Sequence, residues 1–325
     1  MMNFVKRLMR MREFMIFVVV VGMFVIMSIA SPYFFKERNL LAVLMALSLE
    51  TLVAVAMTNL MVSGGFDMSV GSVAAFTGAA VARLMRLGVP VVFAVLLGLL
   101  IGACIGAING GIVAKIGINP FVTTLASLSL YRGLTMIITQ GKNISPLPDG
   151  FNAIGQSMIL RVQTPIWFAV IFVIIGDIML RKSRFFRKNY YIGGNEKAAK
   201  LSGIPVDGMK VFNYMLTGLF AALAGIVMTA RLGSAAVTAA TGLELKVITA
   251  VIIGGASLAG GEGTVLGAFF GSLLMALIVN ALTLLGVDVY WQTFVIGATL
   301  LSAVLIDRLG KIRRERQFVK KGETL

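Results

Sequence analysis

Few side chains within the long apolar stretches of this chain could take part in chemistry. The ionisable candidates among them are Glu50, Asp67, Arg132, Asp177, Glu244, Lys246 and Glu262. The 325 residues contain no histidine and one cysteine, Cys104. The commonest general base near neutral pH is therefore missing, and no disulfide or cysteine-based metal site can form within the chain. The sequence also lacks a G-x-x-x-x-G-K-[ST] phosphate loop. It thus indicates no catalytic site, no metal site and no nucleotide hydrolysis by this chain.

Glu50 is the ionisable residue that lies farthest inside a predicted membrane segment. A carboxylate in that position must find hydrogen-bond donors or a cation, so a pairing role is favoured, and a role in transport stays open. The other polar residues that could line a pathway are amides, hydroxyls and one more carboxylate. Together the candidate pathway residues are Glu50, Asn59, Ser63, Asp67, Ser69 and Asn109.

A polar turn interrupts two apolar stretches between Val62 and Ser72. Gly64 and Gly65 permit a sharp turn, and Asp67 or Ser69 can cap the helix that follows. A structural cap is one interpretation. The other is a helix N-terminus that faces a polar solute in a cavity.

A second polar segment predicts a short, rigid helix. Asn195 can cap it, Glu196 lies in its first turn, Gly203 can take the left-handed closing position, and Pro205 prevents continuation. Asp207 is then expected to cap the next helix. Because two turns are not stable alone in water, this helix must pack on the membrane surface or in a groove of a soluble protein.

The composition identifies the solvent of most of the chain as the lipid bilayer. Hydrophobic residues make up 58% and charged residues 13%, and the mean hydropathy is +0.94. These values predict an all-α polytopic membrane protein, since a span needs about 20 apolar residues. The sequence predicts about ten transmembrane helices, at 14–30, 40–62, 68–87, 90–114, 120–139, 164–180, 211–230, 245–260, 264–285 and 289–306.

The net charge of +15 is concentrated at the ends of the apolar segments. Basic clusters lie in the first 13 residues, between Arg181 and Lys188, and after Asp307. This positive-inside pattern predicts that both termini are cytoplasmic and favours contact with anionic lipid over nucleic acid. We expect one transmembrane domain, 1–325, with cytoplasmic tails at 1–13 and 307–325 and a cytoplasmic loop at 181–210.

Glycines recur at four-residue spacing in two of the predicted spans. The rows are Gly98, Gly102, Gly106 and Gly110, and then Gly263, Gly267 and Gly271. Such rows let helix backbones approach closely, so helix packing explains them. They fall in the fourth and ninth spans, as an inverted five-helix repeat would require, but other glycine motifs pair in a parallel sense. The sequence leaves the repeat open.

Three ordered motifs resemble signature stretches of the permease subunits of bacterial ribose-type sugar ABC importers. They are S-G-G-F-D-M-S-V-G-S at 63–72, G-G-N-E-K-A-A-K-L-S-G-I at 193–204 and I-G-G-A-S-L-A-G-G-E-G-T at 253–264. The resemblance runs from about Leu40 to Asp307. At the first motif the family more often reads S-G-I-D-L-S-V-G-S, so Gly65, Phe66 and Met68 depart from it, which bears on the identity of the sugar.

The resemblance implies a type II-like permease of ten helices, and two such subunits, identical or paralogous, form the pathway. It implies that a helix in 193–203 couples to the ATPase, with Gly193, Gly194, Asn195, Glu196, Ala199, Leu201, Ser202 and Gly203 as coupling residues. The expected partners are a cytoplasmic ABC ATPase that binds ATP and Mg²⁺, a periplasmic or lipoprotein sugar-binding protein, and a second permease subunit.

The function we expect is import of a small neutral sugar across the bacterial cytoplasmic membrane by alternating access. The chain itself would hold no cofactor and catalyse no reaction. A permease for branched-chain amino acids or nucleosides is the alternative within the same superfamily. An ion-coupled secondary carrier comes next.

Overall fold

The computed structural model describes residues 12–322, and the chain there is almost entirely helical. The first five helices are α1 (Arg12–Ala30), α2 (Glu37–Val62), α3 (Val70–Arg86), α4 (Val91–Gly111), which a π-helical turn, Ile112–Ile116, extends, and α5 (Pro120–Thr139). A short helix α6 (Asp149–Gln156) and a hairpin of β1 (Met158–Ile159) and β2 (Val162–Gln163) follow. The remaining helices are α7 (Thr164–Lys182), α8 (Arg184–Gly194), α9 (Glu196–Leu201), α10 (Val206–Leu232), α11 (Leu243–Ile253), α12 (Val265–Leu284) and α13 (Val289–Gly322).

Each of the ten segments predicted to span the membrane contains a helix. Eight helices are long and apolar enough to cross a bilayer by themselves: α1, α2, α4, α5, α7, α10, α12 and α13. The other two are α3, with 17 residues, and α11, with 11. At 1.5 Å per residue α11 is about 16 Å long, roughly half of the 30 Å of hydrocarbon. The eighth predicted span, 245–260, is therefore not one continuous helix, because α11 ends at Ile253 and covers only about half of the hydrocarbon thickness.

Helix α2 forms the centre of the bundle. Nearly every side chain from Glu50 to Val62 is buried, and α2 packs against α7, α10, α11 and α12. By contrast, α13 has most of its span exposed, as has α1, which packs mainly on α12. The amides of Asn39 in α2 and Asn280 in α12 also bond to each other in both directions, at 3.2 and 2.7 Å.

The glycine rows are helix-packing surfaces, as the sequence predicted, except that Gly263 lies in the loop before α12. A Cβ on Gly106 in α4 would overlap the backbone of Tyr214 in α10. A Cβ on Gly271 in α12 would likewise overlap the carbonyl oxygen of Ala250 in α11. These close backbone approaches supply the van der Waals contact that holds helices together in lipid.

One end of the bundle gathers the chain segments that the sequence placed on the cytoplasmic side. There Arg181 at the end of α7 pairs with Glu13 of α1 at 3.1 Å. Glu13 also accepts a hydrogen bond from Thr264, before α12, at 3.0 Å. Ser257 donates to Asp307 of α13 at 3.3 Å. The described ends of α1 and α13 thus lie on the same side as α8 and α9.

The opposite end gathers the segments that the sequence placed outside. Ile144 and Ala235 form an antiparallel bridge, and Arg86 at the end of α3 donates to the carbonyl oxygen of Ser145. Gln156 of α6 donates to the carbonyl oxygen of Arg231 at 3.0 Å. The relative sides of these segments therefore agree with the predicted ten-span topology.

The two short helices begin beside each other and run to opposite ends of the bundle. A Cβ on Gly71, in the first turn of α3, would meet the carbonyl oxygen of Ala240 and the carboxylate of Glu244, at the start of α11. Helix α3 then runs to the end that holds Ser145, and α11 runs to the end that holds Ser257. This is the arrangement expected of an inverted repeat whose third and eighth helices correspond.

The polar segments at the two ends of the chain and after α7 differ in how far the structure describes them. The predicted C-terminal tail, 307–325, is helical as far as Gly322, as a continuation of α13. The predicted N-terminal tail, 1–13, lies mostly outside the described residues. The basic run after α7 is also helical, since Ser183 caps α8 by accepting a hydrogen bond from the amide of Phe185 at 3.3 Å.

Candidate functional site

The short helix α9 forms as the sequence predicted. The side chain of Asn195 accepts a hydrogen bond from the amide of Ala198 at 3.0 Å, and Gly203 takes a left-handed φ of +79°. Asp207 does not cap α10, contrary to expectation. That helix begins at Val206 with no side-chain cap, and Asp207 pairs instead with Lys200 at 3.2 Å. After the role that the resemblance implies for it, we call residues 184–205, from α8 to Pro205, the coupling segment.

Charged side chains fasten α9 to the start of α10. Lys210 lies 2.6 Å from Glu196, and Lys200 lies 3.5 Å from the same carboxylate. The hydrogen bond from Lys210 holds the pKa of Glu196 below its ordinary value. The carboxylate of Asp207 beside Lys200 raises the pKa of that ammonium group. Both shifts favour the charged forms, so these ion pairs persist through neutral pH.

The two faces of α9 differ. Ala199 is buried in a cluster with Ile192, Val206 and Met209, so its side chain anchors the helix to the rest of the chain. Leu201, on the other side, is 91% exposed. A groove of about 520 Å³ runs along this helix, lined by Tyr190, Tyr191, Gly194, Asn195, Ala198, Ala199, Ser202 and Ile204. Leu201 and this groove are parts of α9 that the described chain leaves accessible.

Three backbones meet without intervening side chains where the coupling segment touches the membrane helices. A Cβ on Gly193 would overlap the carbonyl oxygen of Val62, at the end of α2, and the backbone of Gly261. That same carbonyl oxygen accepts a hydrogen bond from the amide of Gly261 at 2.8 Å. Gly64 adopts a φ of +85° and lies against Gly260. We call this contact the glycine junction.

Buried hydrogen bonds surround the glycine junction. Asn213 of α10 donates to Asn189 of α8 at 2.9 Å and to the hydroxyl of Ser63 at 3.1 Å. The phenol of Tyr190 donates to the carbonyl oxygen of Gly263 at 2.8 Å. Ser63, predicted to lie on a pathway, therefore belongs to the attachment of the coupling segment. Asn189 and Asn213 were not singled out from the sequence, because an amide in a helix carries no signal of its partner.

Three of the predicted pathway residues form one hydrogen-bonded chain. Asp67 accepts from the amide and the hydroxyl of Ser69 at 2.7 and 2.6 Å. Asn109 of α4 donates to the Ser69 hydroxyl at 3.2 Å, and its own carbonyl accepts from Ser127 of α5 at 2.5 Å. Asp67 thus closes the turn before α3. The uncharged side chains of Asn109 and Ser127 connect that turn to α4 and α5.

The remaining two predicted pathway residues lie apart from that chain. Asn59 bonds to the carbonyl oxygen of Val55 in its own helix at 3.0 Å. Glu50 faces Lys246 of α11, with 3.7 Å between Oε1 and Nζ, and lines a separate cavity. Lys246 was among the ionisable candidates found in the sequence. Its contact with Glu50 was not predicted, since almost 200 residues separate the two.

Arg132 of α5 holds the loop that precedes α11. Its Nη1 donates to the carbonyl oxygens of Ala239 and Val237 at 2.9 and 3.4 Å. This loop, residues 233–242, is also tied to the 140–163 segment through the bridge between Ala235 and Ile144. The loop is therefore fixed at the point where the half-length helix begins.

Comparisons with known proteins all indicate the same family of permease components. The model of a family described as branched-chain amino acid transport system / permease component matches residues 39–304. The ribose import permease protein RbsC of Bacillus subtilis is 43% identical over 286 residues, which cover 87% of this chain and 89% of that protein.

Two further relatives are similar over most of their length. The L-arabinose transport system permease protein AraH of Escherichia coli is 39% identical over 90% of this chain and 89% of that protein. The probable ABC transporter permease protein y4mJ of Sinorhizobium fredii is 38% identical over 78% of this chain and 76% of that protein. No solved structure matches. The matched range extends from the start of α2 to the membrane part of α13, and the chain belongs to this family of transport-system permease components.

Proposed function

We propose that this chain is the permease subunit of an ATP-binding-cassette importer that moves a small neutral sugar of the ribose or arabinose kind into the cytoplasm. The observation that carries this proposal is the identity of about 40% to ribose and arabinose permeases over nearly nine-tenths of both chains. The alternating-access mechanism requires that ATP binding in a partner favour one permease conformation over another.

The coupling segment is the part that receives this motion in the proposal. Leu201 and the groove beside α9 contact the ATPase, while Asn195, Glu196 and Gly203 fix the shape of the helix. Ala199 and Gly193 anchor it to the permease, and Gly194 and Ser202 line the groove. The close backbone contacts at the glycine junction support this assignment, because a displacement of α8 must move the end of α2.

The partners follow from the same proposal. ATP and Mg²⁺ bind to a cytoplasmic ABC ATPase, and this chain holds no cofactor and performs no hydrolysis. A periplasmic or lipoprotein binding protein delivers the sugar, and a second permease subunit completes the pathway in the bacterial cytoplasmic membrane. The chain of Asp67, Ser69 and Asn109 lies between α3, α4 and α5 in this pathway and supplies amide and hydroxyl groups suited to a neutral solute.

Reconstitution tests the function. The permease with its cognate ATPase and binding protein in proteoliposomes should accumulate radiolabelled D-ribose or L-arabinose when ATP is present. Omission of the ATPase should abolish uptake. Accumulation by the permease alone under a sodium or proton gradient would overturn the proposal in favour of an ion-coupled carrier.

The family description names branched-chain amino acid transport, but the ribose and arabinose permeases among the relatives favour sugar import. The two functions differ in which unlabelled substrate should compete with uptake of the labelled sugar. Excess unlabelled sugar should abolish uptake of the labelled sugar, and L-leucine should leave it unchanged. ATP-dependent uptake of L-leucine without uptake of either sugar would contradict sugar import.

The orientation in the proposal places the coupling segment in the cytoplasm. Single cysteines in a Cys104→Ser background, at the exposed positions Lys142 and Lys197, report the two ends of the bundle. An impermeant thiol reagent added to intact cells should label Lys142→Cys and spare Lys197→Cys. The reverse pattern would invert the topology.

A further inference from the structure

A cavity of about 320 Å³ lies between the middle of α2 and the loop at 233–242. Its polar lining comes from Glu50, Lys246, Thr238 and Thr241, and small and apolar side chains of α2, α3, α10 and α11 form the rest of the wall. Both threonines are exposed, so they mark the mouth of the cavity. Its size falls at the lower end of the range of pockets that hold small molecules, roughly 300–1,000 Å³.

The charged groups of this cavity have unused hydrogen-bonding capacity. The Glu50 side chain is 8% exposed, and its Oε2 has no hydrogen-bond partner among the described residues. The 3.7 Å between Oε1 and Lys246 Nζ is longer than a hydrogen bond. An ammonium group can donate three hydrogen bonds and a carboxylate can accept about four. Since buried charges are costly unless their hydrogen bonds are completed, the cavity suits a guest with many donors and acceptors.

The position of the cavity fits a solute that enters from the end of the bundle opposite the coupling segment. The loop that forms its mouth is bonded to the 140–163 segment at Ile144 and to Arg132 of α5. Its floor is Glu50, at the midpoint of α2. The half-length helix α11 begins at Leu243 with its N-terminus beside the cavity, an arrangement that transport proteins use at solute sites near the bilayer midplane.

We propose that this cavity is an intramembrane subsite for the transported sugar, where Glu50 accepts and Lys246 donates hydrogen bonds to sugar hydroxyl groups. This inference rests on the function proposed above. The pair has no net charge, so it can hold a neutral solute without leaving a charge uncompensated. Hydroxyl groups donate and accept at once, and one sugar can therefore serve both ends of the pair.

The same residues connect the subsite to the coupling segment. Glu50 lies on α2, which ends at Val62 in the glycine junction. Lys246 lies on α11, which leads into the loop at 254–264 that contacts Gly193 through Gly261. Movement of the coupling segment therefore acts on both helices that hold the sugar, and a change in their separation alters how well the two groups can bind it.

Transport by paired variants separates binding from structural support. In the Glu50→Gln/Lys246→Gln variant neither charge is left unpaired, so we expect insertion and thermal stability close to wild type. D-ribose uptake with the ATPase and binding protein should nevertheless fall at least tenfold. Thr238→Val should lower uptake about threefold, and the matched control Thr299→Val, on α13 and away from the cavity, should not change it. Wild-type uptake by the double variant would overturn the subsite and leave the proposed function standing.

A second measurement needs neither uptake nor a change in the charged pair. Thr241→Cys in a Cys104→Ser background places a thiol at the mouth of the cavity in permease proteoliposomes. Saturating D-ribose should slow its reaction with a charged methanethiosulfonate at least fivefold, and L-leucine should not. An equal rate with and without D-ribose, or protection by L-leucine, would overturn the inference. Absence of sugar uptake by the wild-type complex would instead overturn the proposed function.

Discussion

Two glutamate–lysine pairs, one in the coupling segment and one in the membrane cavity, use the same chemistry in opposite ways. Glu196 and Lys210 lie 2.6 Å apart at the surface, and Lys200 adds a second cation. Glu50 and Lys246 are 3.7 Å apart in the bundle, and one carboxylate oxygen has no partner among the described residues. The two charged groups at the surface are in direct hydrogen-bonding contact, although water could have solvated each of them at little cost. The two charged groups in the bundle are not in such contact, although an incomplete set of hydrogen bonds costs most in that environment.

Rigidity and adaptability lie in different regions of the molecule. The coupling segment has completed caps, close ion pairs and backbone contacts without side chains, which together fix one geometry. In the cavity, Glu50 and Lys246 are not in hydrogen-bonding contact, and space remains beside them. A transport protein that converts motion at one site into release at the other needs this combination.

The largest expected effect comes from a substitution in the rigid glycine junction. Gly193→Ala would place a methyl group into the carbonyl oxygen of Val62 and so separate the coupling segment from α2. We expect complete loss of ATP-driven uptake and a lowered thermal midpoint in detergent. Gly208→Ala is the matched control, because no atom lies within 4 Å of its Cβ position. It should keep or slightly raise stability, since alanine favours a helix by up to about 1 kcal/mol. Equal behaviour of the two variants would contradict a rigid junction.

Removal of one lysine from each pair compares them directly. Lys246→Met removes the cation beside the buried Glu50, which must then either give up its charge or remain unpaired, and breaking a buried pair in this way typically costs about 3 kcal/mol or more. Lys210→Met breaks a partly exposed pair and should cost about 1 kcal/mol or less. Thermal unfolding in detergent measures both. A larger loss for Lys210→Met would reverse the distinction between the two regions.

A substitution on the exposed face of α9 should weaken assembly with the ATPase without affecting the folding of the permease. Leu201 is 91% exposed, so Leu201→Asp should leave the thermal midpoint unchanged. If Leu201 fills a pocket on the ATPase, the burial of a leucine contributes about 1.5–3 kcal/mol, and retention of the ATPase during copurification should drop at least tenfold. Lys197→Ala, also exposed on α9, serves as the control. Full retention in Leu201→Asp would move the docking surface elsewhere.

The smallest effect concerns the pH dependence of the surface pair. Because Lys210 lowers the pKa of Glu196, this carboxylate stabilises the fold above its ordinary pKa, and the contribution disappears as the pH falls through the lowered value. Glu196→Gln should therefore reduce stability at pH 7 by at most about 1 kcal/mol, given its exposure. The thermal midpoints of wild type and variant should converge at acidic pH. A difference that grows on acidification would contradict this sign.

The sequence predicted the helical segments because apolar runs of this length have few other structures available in lipid. It also predicted α9, since Asn195 and Gly203 are local signals that act on their own neighbours. The predicted cap of α10 was wrong, because Asp207 can either cap its own helix or pair with Lys200. Only the folded structure determines which of the two contacts forms. The half-length of α11 was missed for a related reason. Glycines and apolar residues continue through 254–260, and hydropathy does not distinguish helix from loop there.

The partners of the buried polar residues were beyond the reach of the sequence. Asp67 and Ser69 were predicted together, since they lie two residues apart. The partners of Glu50 and Ser63 are Lys246 and Asn213, which lie far along the chain. Such pairs arise from the packing of α2 against α10 and α11, and nothing in the local pattern around either member specifies the other.

The contact of α1 and the start of α2 with α12 has a consequence for biogenesis. Asn39 and Asn280, which bond to each other, are 241 residues apart. At roughly 5–20 residues per second, the ribosome needs on the order of 10 to 50 seconds to synthesise the intervening chain. During that interval α1 is already in the bilayer, yet its principal packing surface does not exist. Helix α1 is therefore among the last helices to be joined to the bundle, and the membrane must hold it without that contact until α12 has been synthesised.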